Sequence, residues 1–270
     1  MDAALLPVPA FRRYVGIDYS GAAAPETSLP GLRAFVACRD APPTEARPPG
    51  SPRRHWSRAG LADWLMRLLA EGVPTLVGID HGFSFPRAYF EKYGLAPDWP
   101  AFLDDFAAHW PTDAPGARVE DVRRGLTGRG AARGGDARWR RLCEARTGRA
   151  KSVFHFDVPG SVAKSTFAGL PWLRRLRRGL GRGVHFWPYD GWDVPPGVSA
   201  LAEAYPSLWR EAFPRRPGHT PDQHDACCAA AWLRRADLSG ALPQYLTPRL
   251  SPEELAVAAV EGWILGVAPV

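Results

Sequence analysis

Two acidic residues in this chain end the same short apolar pattern. Val15–Asp18 reads V-G-I-D, and Val77–Asp80 repeats the same four letters. Each segment has the apolar character of a short buried strand that ends in a carboxylate. Two carboxylates brought to one edge of a sheet repel each other unless a cation lies between them. The repeated pattern therefore predicts a site for a hard cation such as Mg²⁺ or Mn²⁺, which prefers oxygen ligands.

Two further acids extend this prediction. Glu203 lies between small apolar residues, where an acid needs a partner unless the position faces water. Asp225 lies one turn into a helix that starts at Thr220-Pro221-Asp222-Gln223, a capping box; Asp222 in its first turn suits the helix dipole. The predicted catalytic and metal-binding residues are Asp18, Asp80, Glu203 and Asp225. Accessory candidates for proton transfer or phosphate contact are His81, Lys164 and His224.

The elements around the repeat explain how its two aspartates would meet. Residues 14–18 form a predicted strand, and Ala59–Glu71 is a predicted amphipathic helix that Gly72 ends. The second V-G-I-D segment follows that helix. A strand that follows such a helix usually joins the sheet as a parallel neighbour through a right-handed crossover. We therefore expect Asp18 and Asp80 to share the carboxyl edge of the sheet, where such folds place their sites.

The remaining chain predicts one α/β domain over residues 1–270, with an inserted helical and Arg-rich segment at about 87–150. Composition favours a surface loop at Ala41–Arg53. Aromatic residues in the insertion hold helical spacing and are predicted to be core: Phe102, Phe106 and Trp110. Further predicted strands are Leu32–Arg39, Lys151–Asp157 and Val184–Tyr189, and Pro171–Leu180 is a predicted helix.

Arginine gives the chain its basic character. The formal net charge is +6, and lysine occurs only at three positions, Lys92, Lys151 and Lys164. Arg118–Arg149 contains ten arginines around a glycine-rich middle. Two interpretations stay open for this segment: a solvated surface loop, or a basic arm that grips the phosphates of a nucleic acid. A basic chain suits an anionic partner of this kind, so a nucleic acid is the expected partner and no membrane is expected.

Cysteine usage and hydropathy predict the compartment. The four cysteines are Cys38, Cys143, Cys227 and Cys228, and none forms a C-x-x-C pair. Such usage is typical of a reduced cytosolic protein rather than of a disulfide scaffold or a zinc site. No apolar run approaches the roughly 20 residues that span a bilayer. We therefore expect a cytoplasmic protein.

Several motifs, taken in order, resemble those of one known group of proteins. They are V-G-I-D-Y-S-G at 15–21, G-I-D-H-G-F-S-F-P at 78–86, G-S-V-A-K-S-T-F-A-G-L-P-W-L at 160–173, A-E-A-Y-P-S-L at 202–208, D-Q-H-D-A-C-C-A-A-A-W-L at 222–233 and E-G-W-I-L-G at 261–266. On these motifs the chain resembles the RNase-H-like superfamily and, more closely, the predicted-nuclease family called domain of unknown function 429.

This resemblance implies an RNase-H-like α/β fold, a mixed β-sheet flanked by helices with the first strand central. It also implies that the four acids correspond to the metal ligands of the superfamily. One departure concerns the glutamate that the first helix supplies in RNase H. Here Glu71 ends that helix, so Glu203 would have to serve instead.

The sequence therefore predicts a metal-dependent nuclease that hydrolyses DNA or RNA at a carboxylate-bound Mg²⁺ or Mn²⁺ site. One alternative is a non-catalytic nucleic-acid-binding module on the same fold. Another is an actin-like ATPase or sugar-kinase-type phosphotransferase, because Gly16–Gly21 resembles the first phosphate loop of those enzymes. That class also requires a second lobe and a second glycine-rich motif, which the sequence lacks.

Overall fold

A computed structural model of the chain describes residues 8–50, 55–158 and 160–267. It is an α/β structure in which helices flank a six-stranded sheet. The strands are β1 (Arg13–Asp18), β2 (Arg33–Cys38), β3 (Ala41–Ala46), β4 (Thr75–Asp80), β5 (Val184–Phe186) and β6 (Ser199–Glu203). The helices are α1 (Arg58–Ala70), α2 (Arg87–Tyr93), α3 (Trp99–His109), α4 (Val119–Arg123), α5 (Leu142–Thr147), α6 (Ala163–Leu180), α7 (Pro221–Leu238), α8 (Leu242–Leu246) and α9 (Pro252–Glu261).

The sheet is mixed, with the strand order β3-β2-β1-β4-β6-β5. Strands β1, β2 and β3 pair antiparallel, whereas β1, β4, β6 and β5 run parallel. The two V-G-I-D strands, β1 and β4, are the central pair. The predicted helical crossover between them is confirmed, because α1 precedes β4 and β4 pairs parallel with β1. Helix α1 begins after Ser57, whose Oγ accepts a hydrogen bond from the Gly60 amide at 3.1 Å.

Side chains alternate between the two faces of the central strands, as the pleat requires. Val15, Ile17 and Ile79 point to the face that α1, α3 and α6 cover, where they join one large apolar cluster. Tyr14 and Leu76 point to the opposite face and join a second cluster with α7 and the C-terminal segment. The sheet is therefore the middle layer between two cores.

Helix α7 lies unusually close to β1. A Cβ atom added at Gly16 would lie 2.3 Å from the Ala226 carbonyl oxygen and 2.4 Å from the Ala230 amide nitrogen. Small residues on the helix and a glycine on the strand together permit this approach. The close packing of α7 on the sheet therefore depends on small residues on both elements.

The segment between β4 and α6 carries α2 to α5 and packs into the same core as α1 and α6. Phe102, Phe106 and Trp110 are buried, as predicted. Phe85 contacts several of these rings and lies 5.0 Å from the Phe167 ring of α6, measured between ring centroids. Aromatic packing of this kind anchors the insertion to the sheet layer.

Some sequence predictions were wrong. Ala41–Ala46 is not a loop but the edge strand β3, in spite of Pro42 and Pro43, because an edge strand tolerates missing amide donors. Lys151–Asp157 forms turns instead of a strand. Helix α6 begins at Ala163, eight residues before the predicted start, so Pro171 lies inside the helix.

All four cysteines are free, in agreement with the sequence expectation. No helix in the described ranges combines the length and apolar character needed to cross a bilayer.

The close approach of α7 gives a first prediction. Gly16→Ala should destabilise the fold by about 3 kcal/mol, the upper range for overpacking, because the methyl group would meet backbone atoms that cannot rotate away. Denaturant unfolding measures this change. Gly134→Ala is the matched control, since Gly134 has φ −86° and open space around its Cβ position. Equal stability of the two variants would contradict the packing described for α7.

Candidate functional site

Asp18 and Asp80 meet at the carboxyl ends of the two central strands. They are direct partners in the β1–β4 parallel register. Each lies two residues after a glycine that faces α7, so both carboxyl groups emerge on the α7 side of the sheet. Neither side chain makes a hydrogen bond or ion pair with any residue that the structure describes. The register therefore brings the two acids together, as the repeated pattern predicts.

The electrostatics of the pair are unfavourable for two negative charges. Burial raises the pKa of Asp80 to about 8, and repulsion from Asp225 and Glu203 adds to this shift. Burial also raises the pKa of Asp18 well above its usual range, with repulsion from Asp80 next in size. A site that holds carboxylates with such pKa values is a candidate for cation binding or acid–base chemistry.

Helix α7 brings a third acid to the same place. Its N-terminus is fixed by the predicted capping box, in which Thr220 Oγ1 accepts from the Gln223 amide and Gln223 Oε1 accepts from the Thr220 amide. Asp225 lies one turn further on and repels both Asp18 and Asp80. Its Oδ2 accepts a hydrogen bond from Arg210 at 2.6 Å, while its Oδ1 is buried without a partner.

Asp222 is a residue that sequence reasoning assigned only to the helix dipole. In the structure it also lines the cavity beside Asp18 and contributes to raising the pKa of that carboxyl. The signal that would have found it is the spacing of Asp222 and Asp225, because residues three apart share one side of a helix.

The cavity beside Asp18 has a volume of about 550 Å³. One wall is the loop after β1, which the buried Arg58 holds by donating hydrogen bonds to three carbonyl oxygens, those of Ser20, Ala22 and Ala23. Gly21 of this loop presses on α6, since an added Cβ would lie 2.1 Å from the Lys164 carbonyl oxygen. Arg58 and Gly21 therefore shape the cavity, although neither carries a charge into it.

Two basic residues line this cavity, Lys164 and Arg118. The Lys164 side chain is 54% exposed, and its Nζ lies 3.9 Å from Glu120. Arg118 is also exposed. An exposed ammonium in so loose an ion pair can contact an anionic ligand, so the accessory prediction for Lys164 agrees with its position.

Glu203 is placed differently from the three aspartates. Its partner in the β4–β6 register is Ile79 rather than Asp80, although Glu203 and Asp80 both line a second cavity of about 160 Å³. Both of its oxygens are bound by the buried Arg141, at 2.5 and 2.6 Å, and the Phe83 amide donates a further hydrogen bond. Glu203 is therefore engaged by Arg141 and the Phe83 amide, unlike Asp18 and Asp80, and its predicted role as a metal ligand stays a prediction.

The two histidine candidates also lie away from the cavity. His81 is 1% exposed and packs between Tyr19 and Phe83, and its burial lowers its pKa to about 4. His224 lines a separate cavity of about 260 Å³ with its ring beside the Cys228 thiol. Neither position suits the proton transfer that the sequence suggested for them.

Most arginines of the Arg118–Arg149 segment are engaged within the protein. Arg141 pairs with Glu144 as well as with Glu203 and is buried. Ion pairs also hold Arg123 to Asp157, Arg133 to Asp105, Arg138 to Asp136 and Arg146 to Glu254. Ion pairs within the protein therefore engage most of these arginines, although the side chains of Arg124, Arg138 and Arg149 are largely exposed.

The whole set of acids does not form a ready metal cage. Within residues 8–50, 55–158 and 160–267, no three His, Cys, Asp or Glu side chains are grouped closely enough to hold a metal ion. Arg210 pairs with Asp225, and Arg141 pairs with Glu203.

No protein-family model, curated protein or solved structure matches this chain.

The geometry and the charges of the aspartates indicate what the strand ends can bind. Among the residues that the structure describes, none pairs with Asp18 or Asp80, and none bonds the buried Oδ1 of Asp225. Mg²⁺ keeps several waters and is commonly bound by only one or two carboxylates together with substrate phosphates. The donor set of Asp18 and Asp80 fits a hydrated cation of that kind.

The Arg141 network gives a second prediction. Arg141→Met should destabilise the fold by about 3–5 kcal/mol, because it leaves buried carboxylates without their counter-charge. Adding Glu203→Gln to this variant should recover part of the loss, as measured by denaturant unfolding. Arg175→Met is the control, since the Arg175–Asp63 pair is exposed and should contribute less than about 1 kcal/mol. A double variant no more stable than Arg141→Met would contradict the pairing.

The aspartate pair gives a third prediction, for the protein in a metal chelator. The raised pKa of Asp80 means that the folded chain binds more protons than the unfolded chain, so stability falls as the pH rises toward 8. At about pH 9, Asp80→Asn should raise Tm by at least about 3 °C, since each kcal/mol moves Tm by about 2–4 °C in chains of this size.

Thermal unfolding of Asp80→Asn and the wild type, recorded between acidic and alkaline pH, measures the difference. Asp63→Asn removes an exposed acid as the control. A Tm for Asp80→Asn that stays at or below the wild-type value at alkaline pH would show that the ionised Asp80 does not destabilise the fold.

Proposed function

We propose that this protein is a metal-dependent nuclease with an RNase-H-like fold. One observation carries the proposal: Asp18 and Asp80 stand side by side at the ends of adjacent parallel strands, with Asp225 next to them, and no residue in the described part of the chain pairs with either strand aspartate. The central position of β1 in a mixed sheet flanked by helices supports the RNase-H-like assignment that the sequence motifs suggest.

Asp18 and Asp80 would hold the metal ion, Mg²⁺ or Mn²⁺, with Asp225 beside them. When bound, such an ion supplies electrostatic stabilisation of the phosphodiester's developing charge and lowers the pKa of water. In the hydrolysis, the water loses a proton as its oxygen forms a bond to phosphorus, the bond from phosphorus to the leaving sugar oxygen breaks, and that oxygen gains a proton.

The chain's own cations would position the substrate. Lys164 and Arg118 line the same cavity as Asp18 and are exposed, so they can contact phosphate oxygens on either side of the reacting group. Apart from Tyr19, the residues that line this cavity include no aromatic ring. The cavity therefore suits the sugar-phosphate backbone of DNA or RNA better than a stacked base.

A cytoplasmic location remains our expectation.

One observation favours a second candidate, a non-catalytic nucleic-acid-binding module. Two of the four predicted ligand acids are held by arginine, Glu203 by Arg141 and Asp225 by Arg210. If these pairs persist with metal present, the strand ends would bind a nucleic acid without cutting it. Strong binding in EDTA, with no turnover after metal is restored, would favour this candidate. The phosphotransferase alternative would require that ATP raise Tm.

The nuclease proposal gives a fourth prediction. Purified protein with Mn²⁺ or Mg²⁺ should cleave at least one substrate in a panel of single-stranded, double-stranded and branched DNA and RNA. Asp18→Asn should lower the rate at least about 100-fold, because it removes a carboxylate that touches the ion. Gel analysis of labelled substrates measures the rate.

Asp63→Asn is the matched control, because Asp63 is exposed and pairs with Arg175 far from the strand ends. A thermal melt of Asp18→Asn shows whether the variant is folded. The proposal would be overturned by a folded wild-type protein that cleaves nothing with either metal, or by Asp18→Asn with full activity.

A further inference from the structure

Arg210 forms an ion pair with Asp225, one of the aspartates at the strand ends. It lies in a short 3-10 turn, Arg210–Ala212, in the connection between β6 and α7. Its Nη2 atom donates a hydrogen bond to Asp225 Oδ2 at 2.6 Å. The Arg210 side chain is 50% exposed, whereas Asp225 is 15% exposed. The guanidinium therefore reaches the acids from the solvent side.

The charge of Arg210 acts on the whole aspartate group. Burial raises the pKa of Asp225, and Arg210 opposes that rise through this contact, as its charge also does at Asp18 and Asp80. No other cation in the described chain forms an ion pair with these three side chains. In the absence of a metal ion, Arg210 is therefore the counter-charge of the group.

The contact is also one that can be broken. It is a single hydrogen bond from a half-exposed side chain, and ion pairs open to solvent are weak because water competes for both partners. Asp225 keeps a second oxygen, Oδ1, that is buried and unpartnered. By contrast, Arg141 is buried and binds both oxygens of Glu203, so that pair is fixed. The Arg210–Asp225 pair is therefore more easily displaced than the Arg141–Glu203 pair.

We propose that Arg210 is a displaceable internal counter-ion that sets the metal affinity of this site. A divalent cation binding at Asp18 and Asp80 repels the guanidinium and frees Asp225 as a further oxygen ligand. Arg210 is thus a positioning residue that competes with the metal ion. This inference rests on the proposed metal site but not on cleavage.

Metal binding alone tests the inference, without substrate. Isothermal titration calorimetry with Mn²⁺ at fixed ionic strength should give a Kd for Arg210→Gln at least about tenfold lower than for the wild type, because a unit positive charge near the ion is gone. Arg210→Lys keeps the charge and should stay within about threefold of the wild type. Arg210→Ala serves if the glutamine variant does not fold, as judged by a thermal melt.

Arg215→Gln is the matched control. Arg215 lies in the same connection and donates to the His219 carbonyl oxygen. The Arg215→Gln substitution therefore removes the same net charge without touching the aspartates. Its Kd for Mn²⁺ should match the wild type. Tighter binding in Arg210→Gln but not in Arg215→Gln supports the inference, even if no substrate is ever cleaved.

Other outcomes would overturn it. Equal Kd values in the wild type and Arg210→Gln reject the counter-ion role and leave the metal site standing. Equal tightening in Arg215→Gln shows only a general effect of net charge. If neither the wild type nor Arg210→Gln binds Mn²⁺, both the inference and the proposed function fail.

Discussion

The parallel register between β1 and β4 fixes the chemistry of this protein. Backbone hydrogen bonds place Asp18 opposite Asp80, and a shift of one residue would send one carboxyl group to the other face of the sheet. The two acids therefore cannot separate without breaking the central pair of strands. Their repulsion is built into the fold, and something positively charged must accompany them whenever both are ionised.

The acids differ in the elements that they meet on the two sides of the sheet. On the α7 side, Gly16 lets the helix approach closely enough for Asp225 to join the aspartate pair. On the opposite side, Glu203 meets Arg141, which links β6 to the insertion. Among the described residues, Asp18 and Asp80 have no ion-pair partner, while Glu203 is paired with the buried Arg141.

Much of this arrangement could be predicted from the sequence. The repeated V-G-I-D pattern, the helix between its copies and the capping box at Thr220 together predicted β1, β4, α7 and the meeting of Asp18 with Asp80. These signals are local, or depend on the handedness of a crossover. The engagement of Glu203 could not be predicted, because it depends on the register between β4 and β6 and on an arginine 62 residues away.

The burial of His81 and the position of Arg210 escaped prediction for a similar reason. His81 continues the V-G-I-D strand into a turn, and only the packing of Tyr19 and Phe83 decides where its ring points. Arg210 lies in a connection with no periodic pattern. Edge strand β3 was missed because its two prolines resemble those of a loop.

Those two prolines have a consequence for how the molecule meets other chains. Pro42 and Pro43 remove two amide donors from β3, one outer strand of the sheet, and the other outer strand, β5, has only three residues. Proline at one border and a three-residue strand at the other give a foreign strand a poor template for backbone pairing, which disfavours sideways growth of the sheet into aggregates.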